Sequence, residues 1–491
     1  MKRRDFIRTL VAGGAATLAG CGNSDFGNPI SGQLPNPSGN PYPNGRPPNI
    51  VFIMVDELRY PVHFPEGVDD ADGYLARFMP NLHRHLWTDG VKFANYRVAA
   101  GACTPSRGVL LTGMYSQQSW LLTTITGGGI GGGVPPSLSP EYPTYGSLLK
   151  EAGYDTPYFG KFHVSADAPY ESDQCPTEPA NYLAPWGFDD SVCPDPGGTQ
   201  GQGAGANGLA LGDSDVADQA VAYLGSKQAQ DAPFCATVSF VNPHDYEFFW
   251  GGTEPTTYED LFAQANQDPL IPYDTRIQVL NDPPPQAGFP DVPSNWESFQ
   301  ELQNNKPSSQ AMFNESSQVI FSGCADNSGR TDFQCEPSLC LNGLLYKGTA
   351  PYSYWRRGQE SYAQVLGMVD QQIGRGLEAI PEEVRADTVV VFTSDHGDYV
   401  GSHGFLNGKV GTVYEEALRV PLIVRDHTGR FAGETEVLRT QLTSSVDLLR
   451  LLVTLGYNGS DSWLEGELEA LYGHRHDILS VVRSSLAPGR D

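Results

Sequence analysis

Three apolar runs, each followed at once by polar side chains, constrain the fold of this chain more than any other feature. The runs cover residues 49–55, 234–241 and 388–393. Continuous apolar runs of this length are typical of parallel strands buried on both faces of a sheet. Because ligand sites of open α/β sheets lie beyond the carboxyl ends of the strands, we expect the side chains that follow the runs to meet at one edge. They are Asp56-Glu57, Asn242-Pro243-His244 and Ser394-Asp395-His396-Gly397.

Helices and long insertions are predicted between these strands. Residues 144–152 predict a helix that ends at Gly153. Residues 165–213 and 245–351 are rich in Pro, Gly, Asn and Asp, which predicts long insertions over the sheet, where specificity loops often lie. Residues 362–380 have the spacing of an amphipathic helix, with one apolar stripe made of Val365, Met368, Val369, Ile373 and Leu377.

The length and charge of the chain limit its domain count and its partners. Its 491 residues suffice for one large α/β domain with insertions or for two domains. The formal net charge of −27 argues against a nucleic-acid partner, because phosphate binding needs a basic face. An anionic substrate stays compatible with this charge, since a few local cations can dominate a pocket.

The N-terminus predicts an export signal. Residues 2–8, KRRDFIR, resemble a twin-arginine signal. The apolar and small-residue run that follows is too short to cross a bilayer, which takes about 20 apolar residues. It ends in Leu18-Ala19-Gly20-Cys21, which resembles a lipoprotein cleavage site with Cys21 as the lipid anchor; the alternative is a plain cleaved signal. We predict a signal at 1–20, a flexible tether at 21–47, and a periplasmic or outer-membrane-anchored protein.

Eight cysteines leave the disulfide pattern open. Cys235 lies inside an apolar run and is expected to be a buried free thiol. Cys335 with Cys340, and Cys175 with Cys193, are close enough in sequence to pair in an oxidising compartment. Once Cys21, Cys103 and Cys235 are set aside, an odd number of cysteines remains, so the sequence does not determine the connectivity.

The segment from Cys103 to Arg107, CTPSR, places a cysteine at the predicted start of a helix. Such a position lowers a thiol pKa and can hold an anion. A buried structural cysteine is the alternative, but it would leave Pro105 and Arg107 without an explanation.

This segment, with the apolar stretch and the Thr112-Gly113 that follow it, resembles the signature of type I, formylglycine-dependent sulfatases of the alkaline phosphatase superfamily. Other blocks resemble the family in the same order: residues 79–93, 153–163, 242–244, 394–397 and 409–421. Within the second block, Phe162 stands where the family usually has Trp. The resemblance implies a large mixed, mostly parallel sheet flanked by helices, in a catalytic domain at 48–425. The family has a second, small antiparallel sheet near its C-terminus, and because few residues follow Pro421 we expect that subdomain, at 426–491, to be short or incomplete.

The resemblance implies a role for each matching residue. Cys103 would be oxidised to formylglycine by a formylglycine-generating enzyme, and its hydrate would attack sulfur. Arg107 would hold the hydrate, while Lys161 and Lys409 would bind the sulfuryl oxygens. His244, with Lys409, would protonate the leaving alcohol. His163 would then deprotonate the second hydroxyl and release sulfate.

The implied metal site departs from the usual family pattern. The family's common set is two carboxylates from the first strand plus an Asp-Asn pair, all oxygen ligands suited to Ca²⁺. Here the pairs are Asp56-Glu57 and Asp395-His396, with Cys103 beside them. The nitrogen of His396 would suit Mn²⁺ or another transition ion better. We expect Ca²⁺, with Mn²⁺ or Mg²⁺ as alternatives, and His396 could instead be a hydrogen-bonding partner beside the metal.

These observations predict a hydrolase that cleaves a sulfate ester. The first alternative is a phosphonate monoester hydrolase or phosphodiesterase of the same superfamily, which the Asp-His pair also resembles. The second is a surface lipoprotein that binds sulfated glycans without turnover. Binding alone does not need an acid, a base and a masked nucleophile in one site, so the enzyme is the favoured interpretation.

Overall fold

The structure is a computed structural model. It describes residues 45–125, 137–165, 181–189, 195, 212–248, 286–320, 324–325, 334–338, 345–349, 352–405, 408–409, 411–434 and 437–490. The predicted signal, most of the tether and large parts of both insertions lie outside these ranges. The cysteines considered for pairing lie outside the residues whose side chains are described, so the disulfide prediction is untested.

The secondary structure alternates between strands and helices. The strands are β1 Asn49–Asp56, β2 Val91–Phe93, β3 Tyr96–Arg97, β4 Tyr158–Gly160, β5 Cys235–Pro243, β6 Cys324–Ala325, β7 Gln334–Ser338, β8 Leu345–Thr349, β9 Thr388–Ser394, β10 Leu422–Asp426, β11 Leu438–Arg439 and β12 Thr443–Ser444. The α-helices are α1 Ala71–Phe78, α2 Pro80–Leu82, α3 Cys103–Thr112, α4 Ser116–Ser119, α5 Tyr145–Glu151, α6 Asp213–Gly225, α7 Phe299–Asn305, α8 Ser308–Ile320, α9 Tyr352–Glu378, α10 Glu382–Arg385, α11 Glu415–Leu418, α12 Leu448–Gly456, α13 Glu467–Tyr472 and α14 Ile478–Arg483.

A seven-stranded sheet in the order β11-β2-β10-β9-β1-β5-β4 forms the centre of the molecule. Only β10 runs antiparallel to its neighbours β9 and β2. The three predicted strands are β1, β5 and β9, and β1 pairs in parallel with both of the others. The mixed, mostly parallel sheet and the convergence of three strand ends are therefore confirmed.

Each face of the sheet is covered by helices, which explains why β1 is apolar throughout. Ile50, Phe52 and Met54 pack with α5, α12 and α14 on one face. Val51, Ile53 and Val55 pack with α1, α6 and α9 on the other. Burying a large aliphatic or aromatic side chain in this way stabilises the fold by roughly 1.5–3 kcal/mol.

The predicted helices are present with small differences. α5 begins after Thr144, whose hydroxyl accepts the amide hydrogen of Ser147 at 3.0 Å, and Gly153 follows with a φ of 87°. The long helix α9 starts ten residues earlier than predicted, at Tyr352. Of its predicted stripe, Met368 is only half-buried, while Val365, Val369, Ile373 and Leu377 are buried.

The segment expected to form a C-terminal subdomain packs on the main sheet. β11 joins the edge of that sheet beside β2, and α12 and α14 belong to the core on one face. In the second insertion β6, β8 and β7 form a separate three-stranded sheet. Cys235 is a buried free thiol, as expected. None of the helices in the described parts of the chain combines the length and apolar character needed to span a bilayer.

Candidate active site

Four neighbouring strands deliver polar side chains to one edge of the sheet. In the order β9-β1-β5-β4, their carboxyl ends carry Asp395-His396, Asp56-Glu57, His244 and Lys161-His163. The amino end of α3, with Cys103 as its first residue, lies against the same edge. The strand order therefore sets the order of the functional groups across the site.

A compact cluster lies where β1, β9 and α3 meet. One ligand atom from each of Asp56, Glu57, Cys103 and His396 lies within 4.8 Å of all the others. His396 Nε2 is 3.2 Å from Cys103 Sγ and 3.4 Å from Asp56 Oδ1. All four side chains are buried. Asp395 lies beside the cluster, and its Oδ1 is 3.6 Å from His396 Nε2.

The donor set of this cluster fits a divalent cation. Glu57 Oε2 is buried and has no hydrogen-bond partner among the described residues. A buried carboxylate oxygen of this kind carries a desolvation cost that a cation would offset. Glu57 itself has a φ of 71°, a strained conformation of the sort found at functional sites. Asp395 Oδ1 accepts hydrogen bonds from the backbone amides of Glu57 and His396, at 3.3 and 2.9 Å.

The thiol of Cys103 is protonated in this environment. Burial, and then the negative charge of Asp56, raise the pKa of the thiol to about 12. The expectation that the start of the helix lowers this pKa was therefore wrong, because desolvation and a neighbouring carboxylate act against the thiolate. An unmodified thiol here is a poor nucleophile at neutral pH.

Arg107 connects the strands beneath the cluster. Its guanidinium donates to Asp395 Oδ2 at 2.7 Å and to Asp56 Oδ2 at 3.2 Å. It also donates to the Lys161 carbonyl at 2.6 Å and to Ser239 Oγ at 2.9 Å. The side chain is fully buried. Arg107 therefore holds the two carboxylates, and its predicted contact with the hydrate stays a prediction.

Two lysines neutralise the carboxylates of β1. Lys161 Nζ pairs with Asp56 and Lys409 Nζ pairs with Glu57. Burial alone would raise the pKa of Asp56, but Lys161 and Arg107 outweigh it and hold that pKa well below its usual range. Burial lowers the pKa of Lys409 to about 8. Lys409 can therefore exchange a proton near neutral pH.

His163 is fixed at its backbone and at its ring. Its ring Nε2 lies 2.9 Å from the carbonyl of Ile125. Because a carbonyl only accepts, Nε2 carries the proton and Nδ1 carries the lone pair in the neutral ring. Burial, and then the charges of Lys161 and Arg107, lower the pKa of His163 well below its usual value. His163 is therefore a neutral base at neutral pH.

His244 follows β5 directly and is 5 % exposed. Its Nδ1 is 3.4 Å from Asp245 Oδ1. Lys409 is 8 % exposed, while Asp56 and Glu57 are at 0 %. His244 and Lys409 are thus the more accessible groups of the site, as a proton donor to a leaving group should be.

Several buried residues of the site were missed by sequence reasoning. Ser239 contacts Arg107 from β5, and Asp398 accepts the amide hydrogen of Gly408, next to Lys409, at 2.7 Å. Asp195 and Asp213 accept backbone amides beside the two histidines. The sequence offers one weak local signal, a proline on each side of Asp195.

Comparison with known proteins identifies the family of the chain. The family described as Sulfatase matches residues 48–456. The arylsulfatase of Volvox carteri is 26 % identical over 443 residues, which cover 87 % of this chain and 59 % of the algal protein. This chain therefore spans less than two thirds of that relative.

Two solved structures share the fold. A 2-O GAG sulfatase superposes with a TM-score of 0.51 at 21 % identity, covering 84 % of this chain and 71 % of the other. A phosphonate monoester hydrolase from Silicibacter pomeroyi has a TM-score of 0.51 at 19 % identity, covering 84 % and 73 %. At such low identity these similarities show the fold alone. The family match over most of the chain shows more: the protein belongs to the sulfatase family.

Proposed function

We propose that this protein hydrolyses a sulfate ester with a formylglycine made from Cys103 and with a divalent cation. The observation that carries the proposal is the placement of Cys103, as a protonated and buried thiol, in contact distance of Asp56 and His396. A thiol in this state has little use as a nucleophile, whereas an oxidised side chain at the same position would face four carboxylates or bases. A separate formylglycine-generating enzyme would perform the oxidation.

Hydrated formylglycine at position 103 would supply one hydroxyl to attack sulfur and a second to expel sulfate. Lys161 and Lys409, with Arg107 behind them, place positive charge where negative charge develops on the sulfuryl oxygens. His244 donates a proton to the ester oxygen as its bond to sulfur breaks, and the pKa of Lys409, about 8, makes it a second donor.

The release of sulfate uses the other histidine. His163 is neutral, and its Nδ1 lone pair accepts the proton of the second hydroxyl at residue 103. The bond between that carbon and the sulfate oxygen then breaks, and the aldehyde forms again. Two histidines on neighbouring strands would thus divide the acid and base steps.

Asp56, Glu57, Asp395 and His396 would hold the cation, with residue 103 completing the set. Bound there, a divalent cation would act as a Lewis acid that offsets the negative charge of the sulfate. We propose Ca²⁺, with Mn²⁺ or Mg²⁺ as alternatives, since three carboxylates and one imidazole suit either class of ion.

An activity screen tests the proposal against its closest rival. We expect purified enzyme that carries formylglycine to turn over an aryl sulfate faster than an aryl phosphodiester or a phosphonate monoester. The reverse order would favour a phosphonate monoester hydrolase. The observation that favours this alternative is His396, because the Asp395-His396 pair also resembles that class of enzyme. Binding of sulfated glycans without any turnover would favour the third, non-catalytic function.

We also propose that the protein leaves the cytoplasm by the twin-arginine route and is anchored through Cys21. This proposal depends on the sequence of residues 2–21 alone. Because that route carries folded proteins, a variant in which both Arg3 and Arg4 are changed to Lys should retain active enzyme in the cytoplasm. Unchanged export of that variant would refute the route.

A further inference from the structure

The strand that leads to His163 ends on a buried carboxylate. Asp195 accepts the amide hydrogen of Phe162 at 3.0 Å and that of His163 at 2.8 Å. It is 1 % exposed. The preceding amide, from Lys161, still bonds to Ser239 of the neighbouring strand β5 at 2.9 Å. Asp195 therefore takes over where the hydrogen bonding of the sheet stops.

The strand that leads to His244 ends in the same way. Asp213, the first residue of α6, accepts the amide hydrogen of Val241 at 2.7 Å and that of Asn242 at 3.1 Å. It also accepts a hydrogen bond from the Asn242 side chain at 2.8 Å. Asp213 is 2 % exposed. Two neighbouring strands thus have one capping aspartate each. The amides that each aspartate accepts from lie within three residues of a histidine of the site.

These caps solve a definite physical problem. Where β4 and β5 leave the sheet, successive backbone amides are buried without a strand partner, and unsatisfied buried amides are costly. One carboxyl group can accept from two amides at once through its two oxygens. An asparagine of the same shape can accept only one of the two, because its NH₂ group would face the other amide.

Asp195 holds His163 in an unfavourable backbone conformation. His163 has a φ of 54°, in the left-handed region that side chains with a Cβ rarely adopt. Its carbonyl accepts from Thr104 Oγ1 at 2.9 Å, its ring contacts Ile125, and Ile125 N in turn donates to Thr104 Oγ1 at 3.0 Å. Thr104 directly follows Cys103. Asp195 fixes the amide side of this network through its hydrogen bonds to Phe162 and His163.

The second cap brackets His244. Asp213 holds the backbone and side chain of Asn242, and Asn242 Oδ1 accepts the amide hydrogen of Asp245 at 3.3 Å. His244 lies between these two anchored residues, with its ring beside Asp245. A shift of Asn242 would therefore move the ring of His244.

We propose that Asp195 and Asp213 are positioning residues, one for the base His163 and one for the acid His244. The assignment rests on the proposed function, since it gives each carboxylate a separate step of the same hydrolysis. It makes Asp195, a residue of the first insertion, part of the active-site machinery. Neither carboxylate is required to touch the substrate.

The test compares Asp195→Asn and Asp213→Asn in enzyme that carries formylglycine. Two substrates are used, an aryl sulfate with an acidic phenol and an alkyl sulfate. An acidic phenol leaves readily, so we expect sulfate release to limit kcat with that substrate. Asp195→Asn should then lower kcat on the order of 10²-fold, the effect of a catalytic group misplaced by about 1 Å. Asp213→Asn should lower kcat/KM by a similar factor for the alkyl sulfate, and by less than about tenfold for the acidic phenol, which needs little protonation.

Asp189→Asn is the matched control. Asp189 also accepts a backbone amide, that of Thr156 at 3.1 Å, but beside the opposite end of β4 and away from the histidines. This variant should keep the kinetics of the wild type with both substrates. Should Asp195→Asn fail to accumulate, Asp195→Glu, which keeps both acceptor oxygens on a longer arm, should give the same pattern of loss.

Hydrogen exchange provides a readout that does not depend on turnover. The amides of Phe162 and His163 should exchange faster in Asp195→Asn, and those of Val241 and Asn242 should exchange faster in Asp213→Asn. Folded variants with wild-type kinetics, or a uniform loss that includes Asp189→Asn, would overturn this inference alone. Absence of turnover in the wild type would overturn the proposed function and this assignment with it.

Discussion

At the scale of residues, the site is a set of buried charges in which each sign is matched. The guanidinium of Arg107 lies between Asp395 and Asp56, at 2.7 and 3.2 Å. Removing one member of a buried pair leaves an uncompensated charge, which costs far more than losing an exposed pair. Burial, and then these charges, shift the pKa values of Cys103 and His163.

Replacing Arg107 with Met should therefore destabilise the fold strongly. We expect the free energy of unfolding to fall by about 3–5 kcal/mol, because Asp56 and Asp395 lose their common partner. Urea denaturation measures this change. Arg375→Met is the control, since its ion pair with Asp218 is exposed and should contribute less than about 1 kcal/mol. Equal effects of the two substitutions would contradict the charge-matching account.

The pH dependence of sulfate release should reflect the lowered pKa of His163. The residue acts as a base only when neutral, and burial with Lys161 and Arg107 lowers its pKa well below 6.5. With an aryl sulfate of an acidic phenol, kcat should stay level as the pH falls past 6.5 and should drop only at the lowered pKa. An acidic limb centred at 6.5 or higher would show that His163 is not held in this environment.

At the scale of elements, the site depends on how closely β4 approaches β5. Gly160, the last residue of β4, has a φ of 97°, and a Cβ there would lie 2.0 Å from the Ser239 carbonyl. That carbonyl accepts the amide hydrogen of Lys161. Only glycine permits both the conformation and the contact, so the position of Lys161 and His163 depends on it.

Replacing Gly160 with Ala should push the end of β4 away from β5. We expect a loss of stability of about 1–3 kcal/mol, together with a fall in kcat. Gly153→Ala is the control: its φ is 87°, but its Cβ would meet no atom within 4 Å. It should cost about 1–2 kcal/mol for the left-handed conformation and leave kcat unchanged. A normal kcat in Gly160→Ala would mean that the strand end does not position the site.

At the scale of the whole molecule, the sequence predicted the centre of the sheet and not its edges. β1, β5 and β9 are buried on both faces, so their apolar runs are unbroken and easy to identify. Towards the edges, β11 has two residues and β2 and β4 have three each, which is too short for any periodic signal. The strand β10 begins directly after the 409–421 block, and nothing in the sequence indicates that it runs antiparallel to β9.

The candidate site divides in the same way. Asp56, Glu57, His244, Asp395 and His396 were placed by the ends of the buried strands, which the sequence reveals. The roles of Cys103, Arg107, Lys161, His163 and Lys409 were implied by the family resemblance. Asp195 and Asp213 were not, because their role comes from bonds to backbone amides on distant strands, and any carboxylate looks alike in sequence. The raised pKa of the Cys103 thiol also depended on burial and on Asp56, which a local motif does not show.

Divalent cations should stabilise the molecule, because the donor residues come from β1, from α3 and from the end of β9. Ca²⁺ or Mn²⁺ added after treatment with a chelator should raise the unfolding temperature. At a concentration of 100 Kd, binding of the cation should add about 2.7 kcal/mol to the free energy of unfolding. His396→Asn would replace the imidazole with an oxygen donor and shift the preference towards Ca²⁺. No response of the wild type to any divalent cation would refute the metal site.

The central claim concerns the chemical state of residue 103, and mass spectrometry of the peptide that contains it, with hydrazide labelling, tests it most directly. Enzyme from a host that has the modifying enzyme should carry an aldehyde at this position, in proportion to its sulfatase activity. Fully active enzyme whose residue 103 is an alkylatable thiol, with no hydrazide adduct, would contradict the account.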